Sequence, residues 1–180
     1  TKPIAKMAIG VVWVSTASVA TPYLEIVGQM FFLGVGLGLT TAPATESIMG
    51  SLAADKAGIG SAVNDTTREL GGTLGVAILG SVFSSIYIGS LDDDPVIAQL
   101  PEAAREATEE SVGAAQFVAP QLGDAAPAYL DSVNEAFLSG LSVACYVAAG
   151  AAIAGSIFAA RFLPARAKDD IDLGETITVA

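Results

Sequence analysis

Ala57 to Leu91 reads AGIGSAVNDTTRELGGTLGVAILGSVFSSIYIGSL, and its second part, Leu70 to Leu91, holds 22 uncharged residues between Glu69 and Asp92. A helix needs about 20 predominantly apolar residues to cross a bilayer. Working outward, three more runs have this character. Met7 to Leu24 is 18 residues without a charge, Ile26 to Thr45 is 20, and Ala136 to Ala160 is 25. Buried helices of soluble bundles usually have apolar runs of about 10–14 residues. Four such runs predict an all-α membrane protein with four transmembrane helices, at about 7–23, 26–52, 57–91 and 136–163.

The composition agrees. Of 180 residues, 52% are hydrophobic and 15% charged, against about 25% charged in an average soluble domain. Mean hydropathy is +0.59. The net charge of −11, from 8 Lys+Arg and 19 Asp+Glu, argues against nucleic acid as a partner, because phosphate binding needs clustered bases. There is no histidine and one cysteine, which excludes Ser-His-Asp machinery, His-ligated metals and an internal disulfide. No enzyme is expected, and transport, channel formation or membrane scaffolding remain.

Cytoplasmic flanks of membrane helices are enriched in Lys and Arg. With the first helix starting inside, Lys2, Lys6, Lys56, Arg161, Arg166 and Lys168 are cytoplasmic, and Arg68 lies within a few turns of that side. Outside falls Gly89 to Glu135, with ten acids and one base, Arg105. Both termini are therefore expected in the cytoplasm, and 164–180 is expected to be a cytoplasmic tail. The chain opens Thr-Lys-Pro without a signal pattern and is read as a piece of a larger protein.

Within the second span, Gly34 and Gly38 form a small-xxx-small pair that suits close helix packing, and Pro43 removes a backbone donor and is expected to kink the helix. Gly71 and Gly75 offer the same packing opportunity on the third. The acidic segment 89–135 reads as an extracytoplasmic helical insertion. Pro101-Glu102 suits a helix start, Ala103 to Val118 reads as one helix broken around Pro120 to Gly123, and Pro127 onward leads into the last span. It is read as a solvated helical hairpin, with a lid over a cavity mouth as the sharper alternative. Cys145 is read as a small buried hydrophobe.

Charges inside a spanning segment are costly and usually face a cavity or a partner. The one such cluster is Asn64, Asp65, Arg68 and Glu69 on the third span. Asp65 and Glu69 are four apart and share a face, while Arg68, three from Asp65 and four from Asn64, sits on an adjoining stripe. Two carboxylates repel when both are ionised, so one should hold its proton nearer neutrality. A protonatable carboxylate facing a cavity is what proton-coupled transport needs. The plainer reading is a static Asp65–Arg68 ion pair that fixes the helix. Glu46 reads as a solvated interfacial acid.

At these residues a resemblance appears. Gly34-Val-Gly-Leu-Gly-Leu-Thr-Thr-Ala-Pro43 resembles the glycine-rich helix with a following proline of the 14-helix drug:proton antiporters, the EmrB/QacA branch of the major facilitator superfamily. Ala57-Gly58-Ile-Gly-Ser-Ala-Val-Asn64 through Arg68-Glu-Leu-Gly71-Gly72-Thr-Leu-Gly75-Val-Ala77-Ile-Leu-Gly80-Ser resembles the next helix of that family. The resemblance implies the last four helices of fourteen, part of the C-terminal lobe of a major facilitator fold. It implies that the second and third helices line a central cavity, with acids at the positions of Asp65 and Glu69 serving substrate or proton handling. Many family members carry Gln where Glu69 stands. It further implies a multidrug efflux transporter of the bacterial cytoplasmic membrane, driven by the proton gradient with no cofactor. The expected partners are the lipid bilayer, the upstream helices and a small lipophilic substrate. An acid-lined cavity would suit cationic compounds, a preference that Arg68 opposes. The alternative is a stand-alone four-helix scaffold or assembly protein without transport activity.

Overall fold

The structure is a computed structural model that describes residues 2–50 and 53–162, the side chains of residues 2–6, 43, 47 and 54 excepted. The tail 164–180 with Arg166 and Lys168, the side chains of Lys2 and Lys6, and the ring of Pro43 lie outside the described residues. Among the described residues every regular element is helical. They are α1 (Lys2–Val14), α2 (Tyr23–Gly50), α3 (Ala57–Asp92), α4 (Glu102–Glu110), α5 (Val112–Val118) and α6 (Ala126–Phe162), with short 3₁₀ turns at Ala54–Lys56, Ile97–Gln99 and Ala119–Ala125.

Three helical stretches are long and apolar enough to cross a membrane: α2, α3 and the run Val112–Phe162, whose continuous part is α6. At 1.5 Å per residue these helices measure about 42, 54 and 55 Å, against a hydrocarbon core of about 30 Å. The first helix differs from expectation. It ends at Val14 rather than near Tyr23, and its 13 residues reach only about 20 Å. The small polar residues beyond it satisfy the backbone locally. The Ser15 and Thr16 hydroxyls each donate to carbonyls three residues back, Val12 and Trp13, at 2.7 Å. The Ser18 amide donates to Thr21 Oγ1 at 2.7 Å. Such bonds offer the chain an alternative to continuing the helix. Pro43 lies within α2, which continues past it to Gly50.

Helix α6 lies against both α1 and α3, α1 also packs on α2, and α2 meets α3 only lightly. Small residues set the close approaches. A Cβ on Gly10 would stand 3.1 Å from the Phe32 ring and 3.2 Å from Leu33, and one on Gly36 would stand 3.4 Å from Met7. A Cβ on Gly140 would stand 3.0 Å from both the ring and the carbonyl oxygen of Phe83. Phe83 stacks on Tyr87 and meets Phe137 edge-on. Gln29, almost fully buried, donates from Nε2 to the Trp13 carbonyl at 3.2 Å, which joins the end of α1 to α2. Gly34, Gly38, Gly71 and Gly75 have nothing within 4 Å of a would-be Cβ, so no described residue of this chain packs against them.

The best-buried part of the chain is not in the middle of the long helices. It is at one end, where residues 93–125 fold back over the last turns of α3 and the first turns of α6. Tyr87, Leu91, Ile97, Ala115, Val118, Tyr129, Val133 and Ala136 form this core. We call the segment the cap. The expected single helix from Ala103 to Val118 is split at Ser111, whose backbone is extended (φ −168°, ψ 153°). Ser111 instead caps α5, its Oγ accepting the Ala114 amide at 3.0 Å. Glu109 and Glu110 crowd the negative end of α4 with no base in that turn, which disfavours continuing it. Asp94 Oδ1 accepts the amides of Val96 at 2.7 Å and Ile97 at 3.3 Å, starting the turn at Ile97. Gly123, at φ +54°, takes a conformation that suits glycine and bends the chain into α6.

Candidate functional site

The polar cluster of α3 divides between two faces. Asn64 and Arg68 line a groove of about 410 Å³ between α2 and α3, together with Thr40, Thr41, Thr45 and Thr67. The helix period explains the pairing, since residues four apart stack on one side. The threonines are held back against their own helices. Thr40 donates to the Gly36 carbonyl at 2.7 Å, Thr41 to Leu37 at 2.6 Å, Thr45 to Thr41 at 3.1 Å and Thr67 to Val63 at 2.8 Å. Their hydroxyl oxygens keep acceptor capacity. The groove thus offers a guanidinium, an amide and several hydroxyl acceptors in an otherwise aliphatic wall.

Asp65 and Glu69 are not on that groove. Both are exposed, and they precede Phe83 and Tyr87 by 18 residues each, about five turns at 3.6 residues per turn. They therefore share the α3 face that, farther along, packs Phe83 onto Gly140 of α6. Near Phe83 that face is closed by α6, whereas at Asp65 and Glu69 it is open. Among the described residues the ion pair present is Arg105–Glu109, at 3.4 Å. The static Asp65–Arg68 pair is not formed, and Arg68 turns to the α2 side instead. Glu46 is exposed near the end of α2. Gly71 and Gly75 follow on α3, also with open space beside them. No group of three metal-ligating side chains occurs among the described residues.

A second polar constellation, in the cap, leaves no mark in the sequence pattern. The Tyr87 hydroxyl donates to the Thr108 carbonyl at 2.8 Å, and the Thr108 and Tyr129 hydroxyls bond each other at 2.7 Å. The Tyr129 hydroxyl also reaches the Ala115 carbonyl at 3.3 Å. These buried contacts join α3, α4, α5 and α6. Periodicity does not reveal them, because the partners lie 21 residues apart in sequence.

Long apolar helices, a cluster of charges on one of them and few residues buried within the spans define a multi-pass α-helical membrane protein. The chain is homologous to drug efflux proteins of the major facilitator superfamily. It is 36% identical over 139 residues to the multidrug efflux pump LfrA of Mycolicibacterium smegmatis, which covers 74% of this chain and 27% of that protein. It is 29% identical over 90 residues to a tetracycline resistance determinant of Streptomyces rimosus, half of this chain and 26% of the relative. It is 32% identical over 72 residues to the quinolone resistance protein NorB of Staphylococcus aureus, 37% of this chain and 15% of the relative. The chain spans about a quarter or less of the length of these curated relatives. No family model matches it, and no solved structure does.

Proposed function

We propose that this chain is the C-terminal part of a proton-coupled multidrug efflux transporter of the bacterial cytoplasmic membrane, in which α2 and α3 line the substrate pathway. The observation that carries the reading is the 36% identity to a multidrug efflux pump across 74% of the chain. The open faces of α2 and α3 support it. Leu70, Leu74 and Val76 are exposed large hydrophobics, and Gly34, Gly38, Gly71 and Gly75 have free space beside them. Such surfaces suit contact with further helices or lipid. In this reading Asn64 and Arg68 contact substrate from the α2–α3 groove, and Asp65 and Glu69 exchange protons on the neighbouring face. The substrate is a small lipophilic compound, and the proton gradient is the energy source. The 89–135 segment is extracytoplasmic and both termini are cytoplasmic.

Two measurements test this. In the full-length protein, Asp65→Asn and Glu69→Gln are assayed for drug-dependent proton flux in everted membrane vesicles. The expected result is loss of coupled efflux in Asp65→Asn, with a smaller effect in Glu69→Gln. Full proton-driven efflux in both variants would overturn the coupling role. For topology, a single cysteine at Ser90 in a Cys145→Ser background should react with an impermeant maleimide from the outside only.

A further inference from the structure

We infer that the groove between α2 and α3 selects a small amphiphile that carries a carboxylate, with Arg68 and Asn64 as the residues that read it. The inference rests on the reading that α2 and α3 line the substrate pathway, and it adds the chemical class of what that pathway takes.

The helical period splits the charges of α3, and the split decides the sign of the groove. Arg68 and Asn64 line it, whereas Asp65, Glu69 and Glu46 are not among its walls. Arg68 lies about 17 Å along the axis from the start of α3 at Ala57. A charge within a spanning segment is costly unless it is paired or faces a polar cavity. Among the described residues its guanidinium makes neither an ion pair nor a hydrogen bond, and the Asn64 amide is equally uncommitted. The guanidinium and amide N–H donors are therefore unmet.

The threonines complete the selection by what they can no longer do. Thr40, Thr41, Thr45 and Thr67 each donate their single O–H to a carbonyl of their own helix. A hydroxyl so engaged can only accept. The groove thus has strong donors at one place and acceptors around it. A carboxylate meets the donors as a planar, two-oxygen acceptor that matches the guanidinium fork. N–H or O–H groups beside that carboxylate meet the threonine oxygens. Ala44 and Val63 supply apolar wall, and the volume of about 410 Å³ falls in the range that holds small organic molecules, about 300–1,000 Å³. A compound whose only charge is positive meets the guanidinium as a like charge and finds no carboxylate in the walls. The cation preference expected from an acid-lined cavity therefore does not extend to this groove.

The test is equilibrium dialysis of the full-length protein in phosphatidylcholine nanodiscs against β-naphthylalanine, without any gradient. This probe has a carboxylate, an ammonium and an aromatic body. Its methyl ester lacks the negative charge, and its N-acetyl derivative keeps the carboxylate but loses the ammonium. Saturable binding of the free amino acid is expected, with the ester at least about tenfold weaker, the size of one charge-assisted hydrogen bond. The N-acetyl form should fall between them. Arg68→Gln should bring the amino acid to the affinity of the ester, and ester binding that persists shows that the variant is folded. Arg68→Lys should keep part of the preference, since the charge remains but the fork does not. Asn64→Ala should weaken the amino acid about fivefold, while Asp65→Asn, off the groove, should leave the preference as it is in the unaltered protein. Equal binding of amino acid and ester, the result expected if an acid of an upstream helix neutralises Arg68, would overturn the inference. So would an acid preference that survives Arg68→Gln, tighter binding of the N-acetyl form, or no saturable binding of the amino acid. An acid preference without drug-driven proton flux sinks the coupled-transport reading and leaves this one standing, and flux without the preference does the reverse.

Discussion

Tyr129 shows how a fully buried polar side chain is kept in this molecule. Its ring fills the core between cap and helices, while its hydroxyl meets Thr108 at 2.7 Å and the Ala115 carbonyl at 3.3 Å. Removing one partner of such a set strands the others away from water. Tyr129→Phe is therefore expected to lower cap stability by about 1–2 kcal/mol, read as faster amide exchange across α4 and α5. Thr108→Val should act in the same direction. An exchange profile identical to the unaltered chain would contradict both. Asp65, Arg68 and Glu69 stand out in the sequence because charge inside an apolar run is rare, and Asn64 joins them by standing four residues before Arg68. Their division into two faces also follows from helical period, Asn64 with Arg68 and Asp65 with Glu69. Which face meets α2 was not legible, because it depends on how two helices cross. The Tyr87–Thr108–Tyr129 set was not legible either, because Tyr and Thr are commonplace outside a packed context.

Among the elements, α3 and α6 are joined through Phe83 and Gly140. Because a Cβ on Gly140 would stand 3.0 Å from the Phe83 carbonyl oxygen as well as its ring, backbone has to shift to admit it. Gly140→Val is expected to cost about 1–3 kcal/mol, seen as a lower unfolding temperature in detergent. Gly150→Val, at a site with open space beside it, is the control and should have little effect. Ser111→Ala removes the α5 cap and is expected to cost about 1 kcal/mol, with the faster exchange confined to Val112–Val118. The helical character of the long elements was readable from uncharged length alone. Their ends were less so. Helix α1 stops at Val14 through side chain–backbone bonds of Ser15 and Thr16, and the α4–α5 break at Ser111 depends on a single serine choosing a cap over a helix interior. Both decisions are made by short polar side chains to which hydropathy is nearly blind.

Taken whole, the molecule is closed at one end and open along its length. The cap and the helix ends under it bury a continuous core, while α2 and the earlier part of α3 present apolar faces outward. Limited proteolysis in detergent should accordingly spare residues 94–125 until the long helices themselves unfold. Cleavage there at the rate of a denatured control would refute that order. The acidic charge is concentrated on this same cap, so the −11 of the chain is a local property rather than a general one.

The placement of Thr108 midway between its two tyrosines, 21 residues from each, has a consequence for how the protein is made. When α3 leaves the ribosome, Tyr87 and Leu91 have no companions. The cap emerges next but still lacks its rear wall. Only with Tyr129 and Val133, at the start of α6, do all the pieces exist. The last long helix is thus the keystone of biogenesis: a chain that stalls before it carries every acid from Asp92 to Asp124, yet has only the α3 half of the core, Tyr87 and Leu91, to fold them around.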